Sequence, residues 1–293
     1  MHQQLPIFSA SHTKGKDSHM KLKEWLIKNR KIFVIWQIAA IVVWLIVFFV
    51  TQPWSDKLGV PASPQRTTLY LIMDFWVLKL PITLFFASLV AEHDRWLAPR
   101  GRYVEGKKYP VFSTYVYTAI AFMAALFAVS GVVNFQLFDL PAAPAVISIA
   151  FFNPIIGFFT LWLGGVIRAL VFGSGNPVQW FISIGLGDGA TWIGLGVFYW
   201  WYRQTKLGKN VIGLFVGWSV FYWVWRILYT FLIIIWYVPG NLVAPSMISQ
   251  ITTFMPSSFL AGIAGLIIVE ALIRVIERPK KTLEAPTPTA PAP

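Results

Sequence analysis

Long apolar runs separated by basic loops constrain this chain more than any motif in it. The runs cover 32–51, 68–91, 111–134, 141–153, 155–173, 178–202, 211–238 and 247–275. A helix crosses the roughly 30 Å hydrocarbon core of a bilayer with about 20 apolar residues. In lipid, backbone N–H and C=O groups must bond within their own segment, which selects helices for runs of this length. The expectation is an all-α, polytopic membrane helix bundle with about eight transmembrane helices. The fourth run is short and carries Pro141 and Pro144, and Asn153-Pro154 divides it from the fifth, so these two also read as one broken hairpin. Hydrophobic residues make up 57% of the chain and charged residues 12%. A soluble domain carries about a quarter charged residues, so a soluble enzyme, a coiled coil and a disordered adaptor are excluded. The absence of cysteine excludes disulfides, thiolate metal sites and a cysteine nucleophile.

Charge sets the expected orientation. The segments 1–31, 92–110, 203–210 and 274–293 hold 19 of the 24 lysines and arginines, whereas the alternate loops hold only Lys57 and Arg66. The positive-inside rule then places both termini in the cytoplasm of a multi-pass cell-membrane protein. It also accounts for the net charge of +12 without a nucleic-acid partner. The chain divides into a cytoplasmic basic N-terminal segment (1–31), a two-helix membrane unit with an inner basic loop (32–110), a six-helix membrane core (111–276) and a tail (277–293) whose APTPTAPAP ending predicts disorder. The N-terminal segment is too long for a signal-peptide n-region, so the first run reads as a retained span. Leu22, Trp25 and Leu26 share one helical face among lysines, which suits a helix on the inner membrane surface or a simple basic flank.

Six ionisable residues fall within the runs: Asp74, Lys79, Arg168, Asp188, Arg226 and Glu270. Each costs about 2.5–3.5 kcal/mol at a helix centre on insertion scales, so pairing is expected. Asp188 and Arg226 read as a direct salt bridge, a ligand contact or a proton relay. Lys79 and Glu270 lie near the inner face, where they read as snorkelling. Small residues recur four apart at Ala121/Ala125, Ala124/Ala128, Gly165/Ala169, Gly185/Gly189, Gly213/Gly217 and Ala261/Gly265, a spacing that lets helices approach closely. Most of these read as internal packing. The face of Ala121, Ala124, Ala125 and Ala128 reads as a docking surface for another protein's helix.

The segment GLGDG at 185–189 is not a phosphate loop, because it follows no strand and lacks the subsequent Lys-Ser/Thr. His2, His12, His19 and His93 all lie outside the runs and form no metal-binding pattern. No metal site, cofactor or catalytic constellation is expected, and hence no enzyme. The outer ends instead collect amides and aromatics. Asn134, Gln136 and Asp139 follow the third run; Asn176, Gln179 and Trp180 lie about the start of the sixth; Trp236 and Gln250 flank the seventh and eighth. With Asp188 and Arg226 they form a candidate site for a small polar ring compound, through stacking and a few orienting hydrogen bonds. The same residues also suit an aromatic interfacial belt.

The region 111–276 resembles the substrate-binding S component of energy-coupling-factor (ECF) transporters. The resemblance is carried by the small-residue helix TAIAFMAALFA, the loop NFQLFDLPAAP and the turn FFNPIIGFFTLWLGGVIRALVFG. It implies capture of a vitamin-like micronutrient at the outer face and coupling to a transmembrane coupling protein and an ATPase pair. The Ala face would contact the coupling protein. Two departures stand out: the first two spans are additional, and Arg168 sits where many members carry an acidic or neutral residue. An accessory or anchoring subunit of a membrane complex, such as a respiratory one, shows similar tryptophan-rich helices without a pocket. A lipid-acting enzyme would need a histidine or serine partner for Asp74, Asp188 or Glu270, and the spacing supplies none.

Overall fold

The computed structural model describes residues 10–58, 72–132, 139–237 and 240–276, with side chains described over 18–46, 72–132, 139–231 and 244–276. All regular structure among the described residues is helical. The main helices are α1 (Ala10–Lys28), α2 (Arg30–Leu58), α3 (Asp74–Glu92), α4 (Thr114–Ser130), α5 (Ala142–Phe152), α6 (Pro154–Phe172), α7 (Pro177–Tyr202), α8 (Val211–Tyr237) and α9 (Ala244–Ile276).

Among the described residues, five helices are long and apolar enough to cross a membrane: α3, α6, α7, α8 over Val211–Phe231, and α9. A sixth is reached if Ser18–Lys28 and Arg30–Ile46, which meet at 56°, are taken together. The remaining two apolar runs form the shorter helices α4 and α5. The expected eight crossings therefore resolve into five or six helices of crossing length and two shorter ones.

The N-terminal basic stretch is a helix rather than a simple flank. α1 packs against α3, with Leu26 buried and the Lys23 ammonium 2.6 Å from Asp94 Oδ1. Arg30, just past the bend, bonds the Ser88 hydroxyl and Glu92. The predicted break between α5 and α6 is present. Asn153 is extended (φ −165°, ψ 165°), as a residue before proline prefers. Its side chain accepts from the Ile156 N–H at 2.9 Å and caps α6.

α5 is anchored at one end of the bundle, the end that carries the basic segments 92–110 and 203–210. There Arg100 donates to the carbonyls of Ala150 (2.7 Å) and Phe151 (3.3 Å), satisfying the last turn of α5. The Trp200 indole donates to the Ile149 carbonyl at 2.8 Å. α5 spans only Ala142–Phe152. At 1.5 Å per residue it rises about 16 Å, against about 28 Å for α6 and about 39 Å for α7. Above its start, toward the opposite end, the taller helices around it enclose open space.

α7 is the central helix, packed against α3, α6 and α8. Glycines allow this. A Cβ on Gly189 would stand 2.8 Å from the Phe158 carbonyl oxygen of α6, so only glycine admits that approach. Gly187 faces a buried ion pair on α3, Lys79 Nζ to Asp74 Oδ2 at 2.6 Å. Lys79 therefore does not snorkel. Nor does Glu270, which accepts from the Tyr199 hydroxyl at 2.7 Å and pairs with Arg203. Partners within the bundle hold both charges more cheaply than a stretched side chain reaching for water.

Candidate functional site

The space above α5 is a cavity of about 130 Å³. α5 contributes Pro141, Ala142 and Ala145 near its start; α4 and α6 contribute Phe127, Leu161 and Arg168. Trp180, Asp188 and Trp192 enter from α7, Arg226 from α8 and Ser258 from α9, with Asp139 just before α5. Four of the residues expected from sequence thus meet in one place: Asp139, Trp180, Asp188 and Arg226.

Each is placed by its own element. α7 begins at the Asn176 cap and Pro177, and widens into a π turn over Trp180–Ile184. That extra residue per turn shifts the face that Asp188 presents. Trp180 lies over Gly165 of α6, where any Cβ would collide with its ring. α9 contains a similar π turn over Gln250–Phe254, after which Ser258 faces inward and donates to Asp139 Oδ2 at 2.6 Å. Tyr222 is buried beside Arg226, Ser258 and Asp139, and its hydroxyl also donates to the Met255 carbonyl at 3.4 Å.

The electrostatics are those of an incomplete network. Asp188 lies in the field of Arg226, with Lys79, Asp139 and Asp74 further contributors. Yet among the described residues neither Arg226 nor Arg168 has a carboxylate within ion-pair distance. Among the described residues the buried Nε–H groups of Arg168 and Arg226 have no hydrogen-bond partner. Of the alternatives the sequence leaves open for Asp188 and Arg226, the direct salt bridge is not formed; both residues line the same cavity. A buried N–H left unpaired costs about 1–3 kcal/mol, more on a charged group.

Other expected site residues fall elsewhere. Asn176 is exposed and occupied as a helix cap, its Oδ1 accepting from the N–H groups of Val178 (2.9 Å) and Gln179 (3.4 Å). Gln179 and Gln250 are half-buried outside the cavity lining. Asn134, Gln136 and the side chain of Trp236 lie outside the described residues. The Ala face divides in two: Ala121 and Ala125 are exposed, whereas Ala124 and Ala128 are buried inside the bundle. Ala124 packs beside Gly164 of α6. The four alanines share an arc of about 100° on α4, and the edge of the packed interface runs through that arc, with Ala124 and Ala128 on its inner side and Ala121 and Ala125 on its outer side.

Sequence reasoning left Arg168, Trp192, Ser258 and Phe127 out of the site. Arg168 carried a signal as an intramembrane charge. Ser258 carried none, because a serine in an apolar helix usually bonds its own backbone. Among the described residues no group of three histidine, aspartate or glutamate side chains is arranged to hold a metal ion. No family model, curated protein or solved structure matches the chain.

Proposed function

We propose that this chain is a membrane-embedded substrate-capture subunit of an ECF-type importer, binding a small micronutrient without altering it. The observation that carries the reading is the cavity above α5, lined by Arg168, Arg226, Asp139 and Asp188 with Trp180 and Trp192, where neither arginine has an ion-pair partner among the described residues. Carboxylates orient a cationic or hydroxyl group of the ligand, and the arginines take its anionic group, as Arg does best in bidentate geometry. Its volume, about 130 Å³, suits a compact ligand or the charged end of a larger vitamin-like one.

On this reading the basic segments face the cytoplasm of a cell membrane, so the cavity opens toward the outside. Energy comes from ATPases on partner chains through a transmembrane coupling protein. The exposed face of α4 around Ala121 and Ala125 is the surface offered to that protein. The chain itself is not an enzyme.

The test is gentle purification from the native membrane, followed by mass spectrometry for proteins and small molecules together. A coupling protein, two ATPases and a co-purified compound are the expected recovery. Arg226→Gln is expected to weaken binding of that compound at least about tenfold, the value of one lost charge-assisted hydrogen bond. Recovery of other complex subunits with no small molecule would instead make the chain an accessory subunit and the cavity a packing defect.

A further inference from the structure

A second cavity, of about 390 Å³, opens at the basic end of the bundle. It is three times the volume of the candidate site and falls within the roughly 300–1,000 Å³ usual for ligand pockets. Its floor is apolar: Trp96, Trp200 and Leu214 are all buried. Its lining carries Arg95, Arg100, Arg203 and Lys209 against one carboxylate, Glu270. The cations come from four separate places, namely the one-turn helix Asp94–Leu97, the loop after it, the end of α7 and the one-turn helix Lys206–Lys209.

Two of these cations have structural work. Arg100 closes the last turn of α5 and stacks over Trp200 at 4.1 Å. Arg203 pairs with Glu270 and donates to the Tyr199 hydroxyl. Arg95 and Lys209 are different: both are exposed, and neither has an ion-pair partner among the described residues. A cavity of this size with a cationic rim, whose one carboxylate is already paired, matches a phosphate group. We infer that this cavity is a phosphate-binding site, with Arg95 and Lys209 at its rim contacting the phosphate oxygens. The same chemistry is offered by the headgroup of an anionic phospholipid and by a soluble phosphate compound.

The test uses the full-length protein in neutral detergent, followed by thermal unfolding. One arm titrates short-chain phosphatidylglycerol against phosphatidylcholine. The other titrates inorganic phosphate against chloride at equal ionic strength. The expected result is a saturable rise in unfolding temperature in at least one arm, with apparent affinity reduced about tenfold or more by R95Q/K209Q. The arm that responds identifies the source. K107Q/K108Q removes the same charge from exposed positions in the neighbouring loop, outside the cavity lining, and is expected to leave the affinity unchanged. No saturable response in either arm, or an equal loss in K107Q/K108Q, overturns the inference.

Discussion

Lys79 illustrates how a single charge is accommodated inside an apolar bundle. Its ammonium is 2.6 Å from Asp74 Oδ2, its side chain is 3% exposed, and the Tyr229 ring lies beneath it at 5.4 Å. Removing one member of such a pair leaves the other buried and uncompensated, at a cost of about 3–5 kcal/mol. Lys79→Met is therefore expected to lower stability by that order, and Asp74→Leu/Lys79→Met to recover part of it. Equilibrium unfolding of the purified variants reads both; equal loss in the double variant would show that the pair itself is not the source of the effect. Sequence could identify Asp74 and Lys79 as intramembrane charges. They lie five apart, and an ordinary helix would not stack them. The π turn over Asp74–Lys79 brings them together, and no composition rule anticipates it.

Helix α4 shows how two neighbouring alanines acquire opposite roles. Ala124 is 1% exposed against Gly164, while Ala125 points away from the bundle. Ala124→Trp must force α4 away from α6 and is expected to destabilise the protein by at least about 1–3 kcal/mol. Ala125→Trp is expected to change stability by less than about 0.5 kcal/mol. On the proposed function it also blocks complex formation while sparing ligand binding. A thermal-shift comparison of the two variants checks the first contrast, and co-purification of partner chains checks the second. Stable Ala124→Trp protein would show that α4 and α6 are not in close contact at Ala124. The helical period predicts that Ala124 and Ala125 point in different directions, yet not which of them faces inward, since α4 is apolar on all sides.

At the scale of the whole molecule, orientation is the quantity most open to direct measurement. The chain has no cysteine, so single substitutions report cleanly. Val178→Cys and Lys206→Cys occupy exposed positions at opposite ends of α7. A membrane-impermeant maleimide applied to whole cells is expected to label the first and spare the second. The reverse pattern would invert the proposed orientation and turn the candidate site toward the cytoplasm. Helical class, the apolar segments, the Asn153-Pro154 break and the charge asymmetry were all legible in the sequence. Each is set locally, by chain length in lipid, by proline and by the placement of lysine and arginine. Four of the expected site residues, Asp139, Trp180, Asp188 and Arg226, were legible as types suited to a polar ligand. That these four meet while Asn176, Gln179 and Gln250 do not was not legible, and neither were the contributions of Arg168 and Ser258. That meeting depends on the short length of α5, on π turns that rotate α7 and α9, and on glycines that bring α7 against its neighbours. These are packing outcomes of residues distant in the chain, and no local pattern encodes them.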